Sequence, residues 1–133
     1  MPFGVASAAL LSVSHKRRTH FQILMAPFIF IMALSILTHN CDGIRDLSKK
    51  NGLIQWLRSL PASVDVVCLQ EAHCVSASEC SLWFHSSGFG SMVSPGSVYF
   101  GGCIILFRPS LMLLNSWSDD DGRFLQCELF CVC

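Results

Sequence analysis

The feature that most constrains the fold is a strand, helix and strand pattern near the middle of the chain. Val64 to Leu69 is an almost unbroken apolar, β-branched run, typical of a strand buried on both faces. Ahead of it, apolar residues recur at spacings of three and four from Leu53 to Leu60, which predicts an amphipathic helix ended by Pro61. A shorter run, Ala33 to Thr38, predicts a first buried strand. Such a unit carries two parallel strands, so the chain is predicted to be an α/β domain.

The second half of the chain predicts a short helix and then antiparallel strands. Ser76 and Glu79 form a capping box for the helix, and Gly88 can end it in a left-handed conformation. Strands alternating with turns are predicted at Phe89 to Val93, Cys103 to Phe107, Leu111 to Ser116 and Phe124 to Val132. The acidic turn from Asp119 to Gly122 is predicted to be solvated. The predicted architecture is therefore a βαβ unit followed by an antiparallel meander.

Residues Met1 to Ile31 differ in character from the rest and are predicted to be a leader or an appended apolar segment, with the domain proper spanning 32–133. Seventeen uncharged residues, Phe21 to Leu37, follow a basic run and resemble a marginal membrane anchor. Two interpretations stay open: an anchor, or an unrelated leader joined to a buried strand, which we favour. Without an anchor, a nuclear or cytoplasmic location is expected.

Composition limits the classes of function. Nine basic residues balance nine acidic ones, so bulk charge does not draw the chain to nucleic acid, and any such binding must be local. Apolar residues make up 52%, which excludes global disorder. The eight cysteines include no C-x-x-C pair, so reduced thiols packed as small apolar groups are predicted, and structural zinc is not.

Polar residues follow the two predicted parallel strands at the point where each ends. Asn40 and Asp42 come after the first strand, and Gln70, Glu71 and His73 after the second. Because ligands bind beyond the carboxyl ends of such strands, this edge is a candidate site. Carboxylate and amide oxygens suit magnesium better than zinc. The alternative, that Glu71 only caps local backbone, stays open on spacing alone.

Five collinear blocks resemble a known family. The blocks are SILTHNCDGIR (35–45), GLIQWL (52–57), DVVCLQEAH (65–73), GCIILF (102–107) and DGRF (121–124). In this order they resemble the endonuclease/exonuclease/phosphatase superfamily, most closely the AP-endonuclease-like domain of LINE-type retrotransposons. The resemblance implies a two-layered α/β sandwich that hydrolyses DNA phosphodiesters with magnesium or manganese.

The resemblance also implies roles for individual residues. Glu71 matches the principal metal-binding carboxylate, and Asn40 the asparagine that orients the scissile phosphate and the metal's water shell. Asp42 matches an outer metal or water ligand. The DNA backbone contacts implied for this chain are Arg45, Lys49, Lys50 and His73, with a solvated surface as the alternative.

The chain also departs from the family. It contains no D-x-N pair and no S-D-H motif, which in the family serve the attacking water and the leaving oxygen. His39 stands where an apolar or aromatic residue is usual. We therefore expect a truncated N-terminal half of the sandwich that lacks the opposing sheet, is inactive alone, and tends to self-associate through the uncovered sheet face. The alternative function is a small membrane-anchored or non-catalytic protein with a passive α/β domain.

Overall fold

Two four-stranded sheets and two helices make up the part of the chain that the structure describes. In this computed structural model the backbone is described for residues 6–16, 18–25 and 35–132, and the side chains for residues 35–130. The elements are β1 Ala6–Lys16, β2 Arg18–Met25, β3 Ile36–Asn40, α1 Leu47–Ser59, β4 Val66–Gln70, α2 Ala77–Phe84, β5 Gly90–Ser94, β6 Cys103–Phe107, β7 Leu111–Ser118 and β8 Phe124–Val132. The first sheet has the order β3-β4-β6-β5 and the second β2-β1-β8-β7. The α/β class predicted from the sequence is confirmed.

The βαβ unit forms as the pattern predicts. Strands β3 and β4 pair in parallel with Ile36 opposite Val66 and Asn40 opposite Gln70. All five residues of β4 are buried, as expected for a strand covered on both faces. Strand β6 pairs antiparallel with β4 on its other side. The apolar run at the centre of the sequence therefore forms the centre of the first sheet.

Of the predicted buried strand at Ala33 to Thr38, residues 33 and 34 lie outside the described part, and β3 differs from the prediction in the rest. It spans Ile36–Asn40, and its last three residues are exposed. In the described residues β3 has β4 as its neighbour in the sheet and lies at the edge. The strand extends past the apolar run because an edge strand pairs on one side only. Its polar residues Thr38, His39 and Asn40 can therefore stay in solvent.

Helix α1 packs a narrower apolar stripe than the pattern suggests. The Asp46 side chain caps it by accepting a hydrogen bond from the Lys49 amide at 3.0 Å. Leu57 is fully buried, whereas Trp56 stays 37% exposed. The helix stops at its cap residue Leu60, just before the proline that was expected to end it.

The capping box of the second helix is confirmed. Ser76 is the N-cap of α2, and its hydroxyl accepts from the amide of Glu79 at 3.1 Å. The helix ends at Phe84, earlier than Gly88, and the glycine adopts the expected left-handed conformation with φ +86°. Cys80 and Phe84 face the core on the helix side of the first sheet.

The expectation that the opposing sheet is missing and that one sheet face is uncovered is wrong for the described residues. The predicted meander divides between the sheets, because β5 and β6 pair in the first and β7 and β8 in the second. An apolar layer fills the space between them. From the first sheet it takes Val66, Cys68, Cys103 and Ile105, and from the second Leu111, Leu125, Cys127 and Leu129. Two layers of sheet therefore share one core.

Part of the predicted leader contributes backbone to the second sheet. Strands β1 and β2 form an antiparallel hairpin, and β1 pairs with β8 from Ala6 opposite Val132 to Ser14 opposite Phe124. The proposed boundary at residue 31 stays a prediction, because residues 26–34 lie outside the described part. Most of the predicted anchor, Phe21 to Leu37, lies outside it too. Across the described residues, no helix is long and apolar enough to cross a membrane.

Arg108 fastens the loop before β4 to the end of β6. Its Nε donates to the carbonyl oxygen of Val64 at 2.9 Å, and its Nη2 donates to that of Pro61 at 3.1 Å. Its guanidinium carbon also lies 4.2 Å from the ring centroid of Phe89. One cation thus satisfies carbonyl groups of a turn that has no sheet partner for them.

Candidate functional site

The two parallel strands end side by side, and the chain segments beyond them stay paired. The Cys41 amide donates to the carbonyl oxygen of Gln70 at 2.8 Å, and the Gly43 amide to that of Glu71 at 2.6 Å. Beyond β4 the Ala72 amide donates to the Gly102 carbonyl at 3.0 Å. Glu71 therefore sits at the end of the central strand, between the segment after β3 and the segment before β6.

Hydrogen bonds hold the Glu71 carboxylate in place. Its Oε2 accepts from the backbone amide of Gly101 at 3.1 Å and from Nε2 of His73 at 3.1 Å. Because an ionised carboxylate only accepts hydrogen bonds, the His73 ring must carry a proton on Nε2 to make this bond. Both side chains are mostly shielded, at 18% exposure for Glu71 and 15% for His73. The carboxylate is thus fixed in orientation while part of it stays accessible.

The positions of Glu71 and His73 depend on unusual backbone conformations. Glu71 has φ +53° and His73 φ +60°, both in the left-handed region that non-glycine residues seldom adopt. A Cβ at Gly43 would lie 2.5 Å from Nδ1 of His73, so the ring packs against a residue with no side chain. Gly43 is therefore required for two reasons. The His73 ring leaves no room for a side chain there, and the φ of +78° favours glycine. These conformations set the direction in which the Glu71 and His73 side chains leave the backbone.

The loops before β6 and β8 close on the same place. The Gly102 amide donates to the carbonyl of Gly122 at 2.8 Å, which joins the predicted acidic turn to the segment that binds Glu71. The Gly96 amide donates to the carbonyl oxygen of Cys74 at 2.8 Å, and this hydrogen bond holds the loop after β5 in place. Three loops therefore meet beside the carboxylate.

The prediction of a solvated acidic turn is wrong for Asp119. Its Oδ1 accepts from the Ser94 hydroxyl at 2.8 Å and from the amides of Arg123 at 3.1 Å and Phe124 at 3.0 Å. Partial burial alone would raise its pKa, but these hydrogen bonds outweigh burial and lower the pKa of the carboxyl below its usual value. Asp119 thus organises the turn from within.

Buried cysteines line the inside of this region. Burial, with the nearby carboxylates of Asp119 and Glu71, raises the pKa of Cys103 to about 12. Burial likewise raises the pKa of Cys41 to about 12. Six cysteines of the described part are free and buried, which confirms the predicted reduced thiols there. They are neutral packing groups and not nucleophiles.

Asn40 and Asp42 lie on the neighbouring strand end. Asn40 is exposed, and its Oδ1 accepts from the Asp42 amide at 3.1 Å. Ile36 packs toward the second sheet, and strand alternation places Asn40 on that same face. Asp42 has φ +49°, and its carbonyl oxygen accepts from Nζ of Lys49 at 2.9 Å.

The predicted basic residues contact helix α2 and the segments that follow β3 and β4. Arg45 pairs with Glu79 and lies 5.6 Å from the Trp83 ring centroid, and Lys50 lies 4.5 Å from the same ring. Lys49 is one of the residues around a cavity of about 380 Å³ beside α1. Of the four predicted contacts, the structure brings His73 directly to Glu71.

The cavity beside α1 is separate from the carboxylate edge. It is lined by His39, Cys41, Ile44, Lys49, Leu53 and Trp56. His39 faces this helix, with its ring centroid 6.0 Å from that of Trp56. Because side chains alternate along β3, His39 and Asn40 lie on opposite faces. His39 therefore packs with the helix, away from the proposed metal ligands.

The oxygen donors at the strand ends suit a hard divalent cation. No group of three or more His, Cys, Asp or Glu side chains in the described part could hold a metal ion. Magnesium needs fewer protein ligands, because it is commonly held by one or two carboxylates while water and substrate phosphate complete its shell. The Glu71 carboxylate and the Asn40 amide oxygen are donors of this type. The donor chemistry of these two side chains is therefore compatible with a hard divalent cation.

Two supports of the site were not foreseen from the sequence. The Gly101 amide binds Glu71 across 30 positions of sequence, and Ser94 binds Asp119 across 25. The G-G pair at 101 and 102 and the aspartate before a D-G turn were the available signals. Neither pattern predicts which distant residue will be the hydrogen-bond partner.

The fold and the edge together define a class: a two-sheet α/β sandwich with an acidic side chain just past the end of its central strand. A sequence profile of the Endonuclease/Exonuclease/phosphatase family matches residues 37–130, which is more than half of the 133 residues. The chain belongs to this family, whose members are nuclease- and phosphatase-type hydrolases that generally depend on a divalent metal. No curated protein sequence matches it.

Proposed function

We propose that this chain is the metal-binding part of a magnesium- or manganese-dependent DNA endonuclease of the retrotransposon type. The observation that carries the proposal is the Glu71 carboxylate, held at the end of β4 by the Gly101 amide and the His73 ring. The family match supports phosphodiester chemistry, and the sequence blocks around Asn40 and Glu71 support the retrotransposon type.

Each residue has a part in this scheme. Glu71 and Asn40 would hold the cation, with Asp42 reaching it through water. When bound, the cation would polarise a phosphoryl oxygen as a Lewis acid. His73 and Gly101 keep the carboxylate oriented, since metal-ligating carboxylates are commonly fixed by further hydrogen bonds.

The coupling between metal and DNA tests this scheme. Magnesium should raise the affinity of the protein for a short DNA duplex, because a cation held by Glu71 and Asn40 would offset the negative charge of a backbone phosphate. In Glu71→Gln the magnesium dependence should vanish, whereas Glu128→Gln, which alters a carboxylate on β8, should retain it. Fluorescence anisotropy with and without magnesium measures both. Equal magnesium dependence in the two variants would remove Glu71 from the scheme.

Turnover is a separate part of the proposal. The 133 residues carry neither the D-x-N nor the S-D-H motif, so we propose that they bind metal and DNA without hydrolysing the phosphodiester on their own. Supercoiled plasmid incubated with the protein and magnesium should stay intact. Nicking that disappears in Glu71→Gln would show that other residues of this chain serve as the base, and would contradict the proposed inactivity.

A further inference from the structure

Three consecutive apolar side chains stand exposed between β5 and β6. Val98 is 41% exposed, Tyr99 82% and Phe100 55%. Single exposed apolar residues are common on protein surfaces. A contiguous group of exposed apolar side chains, by contrast, indicates a contact surface. Tyr99 is also the one tyrosine of the whole chain.

The turn that carries these rings is held in place by hydrogen bonds. The Ser97 amide donates to the carbonyl oxygen of Phe100 at 2.8 Å. The Ser97 hydroxyl in turn accepts from the amides of Tyr99 and Phe100, each at 3.1 Å. The rings are therefore presented by a preformed turn, so that a ligand meeting them has little backbone to order.

The turn leads directly into the segment that fixes the carboxylate. Gly101 follows Phe100, and its amide donates to Oε2 of Glu71 at 3.1 Å, while its carbonyl accepts from the His73 amide at 2.9 Å. Consecutive Cα atoms are about 3.8 Å apart, so the two rings start within about two residues' length of the group that binds Glu71. A nucleic-acid backbone bound at Glu71 would therefore lie near the turn that carries Tyr99 and Phe100.

We propose that Tyr99 and Phe100 form a stacking platform for an unpaired nucleobase next to the phosphodiester at Glu71. The inference rests on the proposed function only in taking nucleic acid as the occupant. Aromatic side chains stack on bases irrespective of sequence, because every base has a π-face. Inside a duplex the base faces are covered, so the platform selects a single-stranded or flipped nucleotide.

The lone tyrosine gives a direct test. Protein labelled with 3-fluorotyrosine has one fluorine resonance, which reports on Tyr99. In buffer with EDTA it is titrated with a thymidine 12-mer and with a 12-mer of abasic sugar-phosphate. The resonance should move with the first oligonucleotide and stay in place with the second. Because metal is absent, the result is independent of cation binding at Glu71.

Affinities of matched variants complete the test. Tyr99→Ala should weaken binding of the thymidine 12-mer about tenfold and leave binding of the abasic chain unchanged. Tyr99→Trp should restore the affinity, and Leu82→Ala, which removes a side chain 78% exposed on α2, should have no effect. Equal losses for both oligonucleotides in Tyr99→Ala, or an unmoved fluorine resonance, would overturn the proposal. If the fluorine resonance of the parent protein moves with the thymidine 12-mer but its DNA affinity does not depend on magnesium, the proposed function fails while the stacking platform stands.

Discussion

Replacing Gly43 by alanine tests how closely the residues around Glu71 are packed. The residue has φ +78°, where an L side chain costs about 1–2 kcal/mol. The new Cβ would also lie 2.5 Å from Nδ1 of His73, so the ring must shift and weaken its hydrogen bond to Glu71. Losing that bond adds about 1 kcal/mol. The free energy of unfolding should therefore fall by about 2–3 kcal/mol.

Gly88 provides the matched control. Its φ is +86°, but a Cβ there would meet nothing within 4 Å. Gly88→Ala should therefore show the backbone cost alone, about 1–2 kcal/mol. Urea unfolding followed by tryptophan fluorescence gives both midpoints. An extra loss of about 1 kcal/mol lowers the midpoint by roughly 0.3–1 M at ordinary urea slopes.

A double variant isolates the contact with the ring. In Gly43→Ala/His73→Ala the clash is absent, so the added cost of Gly43→Ala should drop to the Gly88→Ala value. If Gly43→Ala and Gly88→Ala lower the midpoint equally, the His73 ring does not lie against Gly43, and the geometry derived for Glu71 is wrong.

Three further predictions concern the supports around the site. Arg108→Met should destabilise the protein by about 2 kcal/mol in urea unfolding, because it removes the Nε donor of the Val64 carbonyl and one of two donors to the Pro61 carbonyl, and Arg108→Lys should recover only part of that loss. The pKa of Asp119 lies below its usual 3.8 when folded, so its stabilising contribution is present above that pH and is lost as pH falls through the folded value. Urea midpoints from about pH 6 to about pH 3 should therefore fall less in Asp119→Asn than in the parent protein. Six of the eight thiols are buried and neutral, so a thiol reagent at about pH 8 should modify them only as fast as the protein unfolds.

Much of the first sheet could be predicted from the sequence, because its inner strands are so apolar that they are expected only in the interior of a sheet. The run at β4 and the run at β6 are buried along almost their whole length. Strand β3 was misplaced because an edge strand does not need apolar residues, and its polar end looked like a turn. Local pattern therefore located buried strands better than exposed ones.

The second sheet could not be predicted because its pairing is distant in sequence. Ala6 is opposite Val132, and no local pattern specifies a partner that far along the chain. The support of Glu71 was equally hidden, since it depends on positive φ at Glu71 and His73 and on an amide 30 positions away. The chemistry of the edge stays a prediction from the sequence, whereas the donors that orient the Glu71 carboxylate are seen only in the tertiary structure.

Calorimetric titration with manganese most directly tests whether Glu71 and Asn40 hold a divalent cation. The parent protein should take up about one ion weakly, as expected for one carboxylate and one amide, and Glu128→Gln should do the same. Glu71→Gln should abolish the uptake, and Asn40→Ala should weaken it. Undiminished manganese binding in Glu71→Gln would contradict the assignment of this carboxylate as the metal ligand.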